Sequence, residues 1–544
     1  MKIQNPIIRG FHPDPSIIRV GEDYYIATST FEWWPGVAIH HSRDLANWRL
    51  LGYPLNRVSQ LDLRGVGPSQ GIWAPCLTYY KDTYYLVYTI VKSFYCNMYD
   101  TNNFLVTAKN IDGPWSEPIP LNNFGFDPSL FHDDDGRKYM VCMVTDHRIP
   151  KKYAGRLVLQ EYDGIEKNMT GPVKEIYSAD KIFLEGPHIF KKDGYYYLFT
   201  ADTGTGEDHG QTIQRSRSVW GPYEMYKSEI MARKSDAEAY SILTSRHNPE
   251  HLLQKSGHCD LVETQNGQWY VVHLCGRALK IRNPENNPKF AGARRYTLGR
   301  ETAIQKMEWT EDGWLRLANG TTLPDIEVEA TEFEPYPFDK KPDRNNFDDE
   351  LLDLEFQSVR IPLDETFLSL KARKGYLRLY GREGLGSRFA QSLIARRWTE
   401  FNFTASTSVE FKPTVFKQMA GLICMYDNEN YCYLHITHDE ELGRCIAILT
   451  SVNKQYKYPV DFVPISGEEI VYLRVEVDYD RLQFFYGIGE ERYIKIGPEM
   501  DCSFMSDEAC DEGWFTGAMV GLCCQDLTGS RLAADFDWFE YSIR

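Results

Sequence analysis

Several things are missing from these 544 residues, and each absence removes a class of function. Nowhere do about 18 apolar residues run together, which excludes a membrane-spanning helix. No stretch of five or more Lys and Arg occurs, and 77 acidic against 60 basic residues leave a formal charge of -17. Phosphate backbones need the opposite balance, so neither nucleic acid nor a membrane is an expected partner. The opening "MKIQNPIIRG" lacks the apolar core of a secretory signal, and the expectation is a cytoplasmic chain. There is no Cys-x-x-Cys pair and no His-Glu-x-x-His motif, so zinc has no support, and no metal or cofactor is expected. The twelve cysteines are irregularly spaced, with Cys523 and Cys524 inside the apolar "GAMVGLCCQDL", and read as buried free thiols rather than a disulfide framework.

What the chain does have is aromatic surface and repetition. Phe, Trp and Tyr make up 14% of the residues, enough to fill cores or to stack on ligands such as sugars. Five stretches share one plan: "HPDPSIIRVGEDYYIATST", "WAPCLTYYKDTYYLVYTI", "FDPSLFHDDDGRKYMVCMV", "EGPHIFKKDGYYYLFTA" and "GHCDLVETQNGQWYVVHLC". A short lead, usually with proline, precedes an alternating strand, a charged or Gly-containing turn, and a second strand that opens with aromatics. Pro15 to Tyr25, Pro75 to Tyr85 and Pro187 to Tyr197 each span ten residues, and Pro128 to Tyr139 spans eleven. In the fifth copy His258 stands where proline should be, twelve residues before Tyr270. The turns "VGED", "KDGY" and "TQNGQ" carry hairpin chemistry.

Copies begin roughly sixty residues apart, room for a four-stranded antiparallel sheet, and five such sheets in radial array make a five-bladed β-propeller. The competing arrangement is an irregular sandwich with chance hairpins. The pattern stops near residue 325, where proline and charge replace periodicity. Residues 1–325 are expected to form the propeller, 326–345 a linker, and 346–544, with alternating strands such as "TSVEFKP" and "YCYLHITH", a β-sandwich. The chain is all-β.

Aligned on their prolines, the leads place Asp14 and Asp127 directly before Pro15 and Pro128, and Trp73 and Glu185 two before Pro75 and Pro187. An aspartate before proline is by itself an Asx-type turn. Acids recurring across the copies, entering innermost strands at one end of an axis, converge instead on one pocket. Such a cluster suits glycosidic hydrolysis, where one group protonates the leaving oxygen and another activates water or attacks carbon. A hard cation such as Ca²⁺ needs six to eight oxygens, more than these motifs offer. By contrast "HDDDG", residues 132–136, reads as a solvated hairpin turn.

These motifs resemble glycoside hydrolase family 43, in particular its two-domain β-xylosidases. The likeness runs from "NPIIRGFHPDPSI" through "STFEWWPGVAIHHSRDL", "GIWAP", "GFDPSLFHDDDG", "LEGPHIF", "LVETQNGQWYVVH" and "LGRETAIQKMEW" to "FTGAMVGL". The resemblance implies a propeller followed by a concanavalin-like sandwich and an exo-acting, inverting β-1,4-xylosidase acting on xylo-oligosaccharides, with α-L-arabinofuranosidase as the neighbouring activity. A sugar-binding propeller without catalysis is the alternative from another class. Carried over, it assigns Asp14 as general base, Glu185 as general acid, and Asp127 as the group that orients Glu185 and tunes its pKa. Arg300 is implied to contact substrate hydroxyls. Phe31 and Trp73 are implied as pocket walls, Phe515 as the residue the sandwich contributes, and His258 as a pocket histidine. Relatives often form tetramers, which implies a homo-oligomer. Two stretches depart from the family pattern: Cys76 stands where aspartate is usual, and "MVTDHRIPKKYAG" differs at the pocket rim.

Overall fold

A computed structural model describes residues 1–94, 98–144, 146–148, 155–179, 183–227, 240–279, 281, 294–467 and 470–544. The described chain is built from strands, with no helix among them. Five antiparallel sheets have innermost strands Ser16–Val20, Gly71–Tyr79, Phe126–His132, Leu184–Lys192 and Leu253–Glu263, and each sheet runs outward in chain order. The innermost strands neighbour one another in sequence and the fifth neighbours the first, closing a five-bladed propeller. Among the described residues no blade is completed by a strand from another. Side chains close the ring instead: Asp260 of the fifth blade accepts hydrogen bonds from Ser16 Oγ and Ile17 N of the first, both at 2.8 Å.

The prolines of the repeat have a structural consequence. In blades two to five the pairing of the innermost strand with the next is interrupted by a bulge at the lead: Trp73/Cys76, Phe126/Ser129, Glu185/His188 and Gly257/Asp260. Proline lacks the N–H a ladder requires, so it is tolerated where the ladder is already broken. The residue before it takes a positive φ in every blade: Asp14 55°, Ala74 22°, Asp127 50°, Gly186 55° and His258 57°. Only one of these five is glycine, so the conformation costs strain that the surrounding fold must hold.

The hairpins carry the expected turns. Asp193 and Gly194 have φ of 50° and 74°, and Lys81 and Asp82, with 47° and 55°, make the same excursion without glycine. The "HDDDG" reading needs correction at its first acid. Asp133 is buried, accepting from Lys191 Nζ at 2.5 Å and Tyr196 Oη at 2.8 Å, and so ties the third blade to the fourth.

The rest of the chain forms two large antiparallel sheets packed face to face. Alternation along strands such as Val471–Asp478 sends Val471, Leu473, Val475 and Val477 into a shared core with Leu422, Leu434 and Phe536. The domains are stitched together: Trp33–Trp34, from the first blade, pairs with Gln357–Val359 at the edge of one sandwich sheet. Between them, Glu327–Glu329 pairs with Lys2–Gln4, and Arg344–Asn345 joins the last strand of the sandwich. The eleven described cysteines are all buried and unpaired.

Candidate active site

Because the bulge recurs in blades two to five, and the first lead takes the same positive φ before its proline, the lead side chains sort into layers around the axis. The residues directly before the proline position are Asp14, Ala74, Asp127, Gly186 and His258, which corrects the reading of the fifth copy: Cys259, not His258, stands where proline would be. The residues one earlier include Trp73, Phe126 and Glu185, and all three line one cavity of about 430 Å³. The acids are therefore not strictly in register: Asp14 and Asp127 directly precede their prolines, and Glu185 stands two residues before its own, beside the aromatic walls. One residue past the proline come Ser16, Cys76, Ser129, His188 and Asp260, all buried.

Asp14 is fixed from two sides. Its Oδ1 accepts from Arg300 Nη1 at 2.8 Å, and its Oδ2 accepts from Ser29 Oγ at 2.7 Å. His258 Nδ1 lies 3.8 Å from Oδ1, too far for a hydrogen bond. Burial lowers the His258 pKa to about 4, with the Asp14 charge opposing, so its imidazole is neutral near pH 7.

Glu185 has a different environment. Its Oε1 is buried with no hydrogen-bond partner among the described residues. Burial first, and then the charge of Asp14, push its pKa up to about 7, against the pull of Arg300. Asp127 is raised well above the usual carboxylate range, chiefly by burial and then by the charges of Glu185 and Asp14. Its Oδ2 accepts from Gly186 N at 2.9 Å, one peptide beyond Glu185, so it holds the backbone that aims Glu185. A side chain at Gly186 would strike His258, its Cβ 2.8 Å from Nε2, and φ is positive, so glycine is required there.

Phe31, Trp73 and Phe515 form one aromatic cluster. Ring centroids are 6.1 Å apart for Phe31 and Trp73, 6.1 Å for Phe31 and Phe515, and 5.3 Å for Trp73 and Phe515. The Arg300 guanidinium carbon lies 5.6 Å from the centres of both phenylalanine rings, and Arg300 Nη2 donates to the Phe515 carbonyl at 3.0 Å. All eight residues singled out from the sequence thus meet at one end of the propeller, with the sandwich contributing Phe515. Cys76 is buried under this site, its thiol pushed up to about 12 by burial and then by Asp260. The rim stretch "MVTDHRIPKKYAG" lies largely outside the described residues.

Sequence reasoning missed Ser29, Ser69, Phe94, Tyr99, Phe126, Lys255, Asp507, Glu508 and Trp514. Phe126 could have been found, since it occupies the same offset from proline as Trp73 and Glu185. The others lie outside the repeat's leads and carry no local signal. Among the described residues no three His, Cys, Asp or Glu side chains are grouped to hold a metal ion.

Two acids of raised pKa beside a third tied to arginine, on an aromatic-walled cavity, make a site for acid and base work on a sugar. Comparison with known proteins agrees. Residues 3–315 match the model of glycosyl hydrolases family 43, and residues 344–542 match the β-xylosidase C-terminal concanavalin A-like domain. A β-xylosidase of Bacillus subtilis (strain 168) is 44% identical, covering 99% of both chains. Xylosidase/arabinosidase 43B of Humicola insolens is 45% identical over 99% of this chain and 97% of its own. The crystal structure of xylan β-1,4-xylosidase from Bacillus halodurans C-125 superposes with a TM-score of 0.93 at 47% identity, covering 99% of this chain and all of the other. With both domain models matched in order along its length, the chain belongs to glycosyl hydrolases family 43.

Proposed function

We propose that the protein is an exo-acting, inverting β-1,4-xylosidase that releases xylose from the non-reducing ends of short xylo-oligosaccharides. The observation that carries this reading is the contrast between two buried carboxyls of one site. Glu185, with a pKa near 7 and a free Oε1, can hold a proton at neutral pH, whereas Asp14 has both oxygens engaged as acceptors, by Arg300 and Ser29. Glu185 gives its proton to the glycosidic oxygen as the bond to the anomeric carbon breaks. Asp14 takes a proton from a water that attacks that carbon from the opposite face, so the configuration inverts. Asp127 keeps Glu185 oriented through Gly186 N, while burial and the Asp14 charge keep the proton affinity of Glu185 high. Phe31, Trp73 and Phe515 present flat apolar surface to the sugar, and Arg300 supplies charge beside its hydroxyls.

The experiment is to follow anomers by NMR during xylobiose hydrolysis. First-formed α-xylose supports the mechanism, and first-formed β-xylose rejects it. Running β-1,4- and β-1,3-linked xylobiose side by side tests the linkage. Arabinofuranose presents similar hydroxyls, and the name of the Humicola relative joins both sugars, so nitrophenyl xyloside against nitrophenyl arabinofuranoside decides the sugar. Turnover abolished by Asp14→Ala would eliminate a sugar-binding propeller without catalysis, and turnover that survives the substitution would remove Asp14 as the base. The cytoplasmic location belongs to the same proposal, supported by eleven buried free thiols, and recovery of the protein outside the cell would reject it. A homotetramer, implied by resemblance, is checked by light scattering, where a monomer would reject it.

A further inference from the structure

Phe515 lies in the sandwich segment 513–518, which runs against the propeller at backbone contact. A Cβ on Gly513 would come within 2.7 Å of the Pro68 carbonyl, and one on Gly517 within 2.9 Å of the Leu298 carbonyl. The backbone around Phe515 is held at three successive points. Its N–H donates to Ser69 Oγ of the propeller at 3.0 Å, and its carbonyl accepts from Arg300 Nη2 at 3.0 Å. The next N–H, of Thr516, donates to Tyr426 Oη of the sandwich at 3.2 Å.

Tyr426 is itself fully buried in the sandwich core, and its hydroxyl donates to Asp507 Oδ1 at 2.5 Å. Asp507 Oδ2 and Glu508 Oε1 accept from Lys255 Nζ of the fifth blade at 3.4 and 2.7 Å. A buried chain of polar groups therefore runs from Lys255 through Asp507 and Tyr426 to the peptide between Phe515 and Thr516. Arg300 continues it, because the guanidinium that takes the Phe515 carbonyl on Nη2 holds Asp14 on Nη1. A guanidinium is planar and rigid, so movement of the carbonyl at one end of the fork turns the other.

We propose that Tyr426 is a positioning residue for the reaction: by fixing the Phe515–Thr516 peptide it sets Arg300, and through Arg300 the direction in which Asp14 faces. The inference rests on the glycosidase reading of the site. It separates two contributions of the sandwich, since the Phe515 ring is a wall for the sugar while its backbone is a support for the base. Aim of the base acts on the attacking water and shows in kcat, whereas a wall for the sugar shows mainly in KM.

The test uses the full-length protein and nitrophenyl glycosides, with rates expressed per folded molecule. Tyr426→Phe removes only the hydroxyl. Ser69→Gly removes the support from the propeller side at a position whose φ of 58° suits glycine. Each is expected to lower kcat about tenfold with KM within about twofold, and Phe515→Ala to raise KM with the smaller effect on kcat. Unchanged kcat per folded molecule, or a rise in KM alone in Tyr426→Phe, would overturn the inference. Where Tyr426→Phe does not fold, Ser69→Gly decides by the same criterion. The wild type is run on both the xyloside and the arabinofuranoside, and the ratios are read on whichever turns over, so a wrong sugar leaves this test intact. No turnover on either glycoside overturns the functional reading, and this inference with it.

Discussion

Glu185→Gln is expected to make the protein more stable, and only above a definite pH. The wild-type carboxyl has an unfolded value of 4.5 and a folded value of about 7, raised first by burial and then by the Asp14 charge. Between those values the folded chain holds a proton that the unfolded chain has released, so wild-type stability falls as pH rises through that window. Below 4.5 both states are protonated and the substitution has no charge to remove. Above 7 the folded wild type carries a buried charge, and the neutral amide does not. At 1.36 kcal/mol per pH unit, the full difference is about 3 kcal/mol. For a domain of about 300 residues with an unfolding entropy of about 2.1 cal/mol/K per residue, that raises the melting temperature by about 5 °C. Scanning calorimetry of both proteins from pH 5 to 8.5 measures it. A gain that grows with pH and levels off near 8 is the expected result. An equal offset at every pH would mean that altered hydrogen bonding, not charge, is responsible, and no gain at pH 8 would refute the reasoning.

Catalysis gives the complementary outcomes. Glu185→Ala is expected to lose about 10²- to 10⁴-fold on xylobiose but less than about tenfold on aryl xylosides with good leaving groups, which need little protonation; equal losses in kcat on both substrates would contradict its role as acid. The wild-type kcat/KM should fall on the alkaline side with a midpoint near the Glu185 value of about 7. Phe515→Ala, by admitting water to the cavity, should move that midpoint to lower pH, and a pH–rate profile that does not move would separate Phe515 from the burial of Glu185. Arg300→Lys keeps the charge but cannot span Asp14 and the Phe515 carbonyl as a planar fork, so kcat/KM should drop about 100-fold. Activity within a fewfold of wild type would show that charge alone suffices.

The propeller was legible because its repeat is written twice, in hairpin turns and in proline-bearing leads, each with a backbone reason to recur. The site was legible to the same depth. Asp14, Asp127, Glu185 and Trp73 sit at fixed offsets from a proline, and for all but Asp14 those offsets became positions at a bulge. His258 drew notice as a break in that pattern, but one residue out of place, since Cys259 holds the proline position and His258 is the counterpart of Asp14 and Asp127. Residues that act across the domain boundary were visible only where resemblance supplied them, as with Arg300 and Phe515. Tyr426 and Asp507 had no signal of any kind, because nothing in "CMYDNENY" or "FMSDEACDEG" marks a side chain whose partner lies 81 residues away. Asp133 failed for a related reason: a run of three acids before glycine has the composition of a solvated turn, and only the neighbouring blade shows that its first member is covered.

One local device explains why a repeat built for structure can carry chemistry. The lead of each inner strand puts the residue before the proline position into a left-handed backbone in all five blades, with a bulge in four of them, and proline is admitted where the ladder is broken. Selection at that position then costs nothing further in backbone terms, since the strain is shared by Ala74, which does no chemistry, and by Asp14 and Asp127, which do. In blades two, three and four the same lead brings the preceding residue, Trp73, Phe126 or Glu185, to the cavity wall, so one motif offers two kinds of functional position. What a propeller cannot supply by itself is a dry lid at the end of its axis. The sandwich segment carrying Phe515 covers that end, and burial is the first cause of the proton affinity of Glu185. The second domain is thereby part of the acid's chemistry as well as of the pocket's shape.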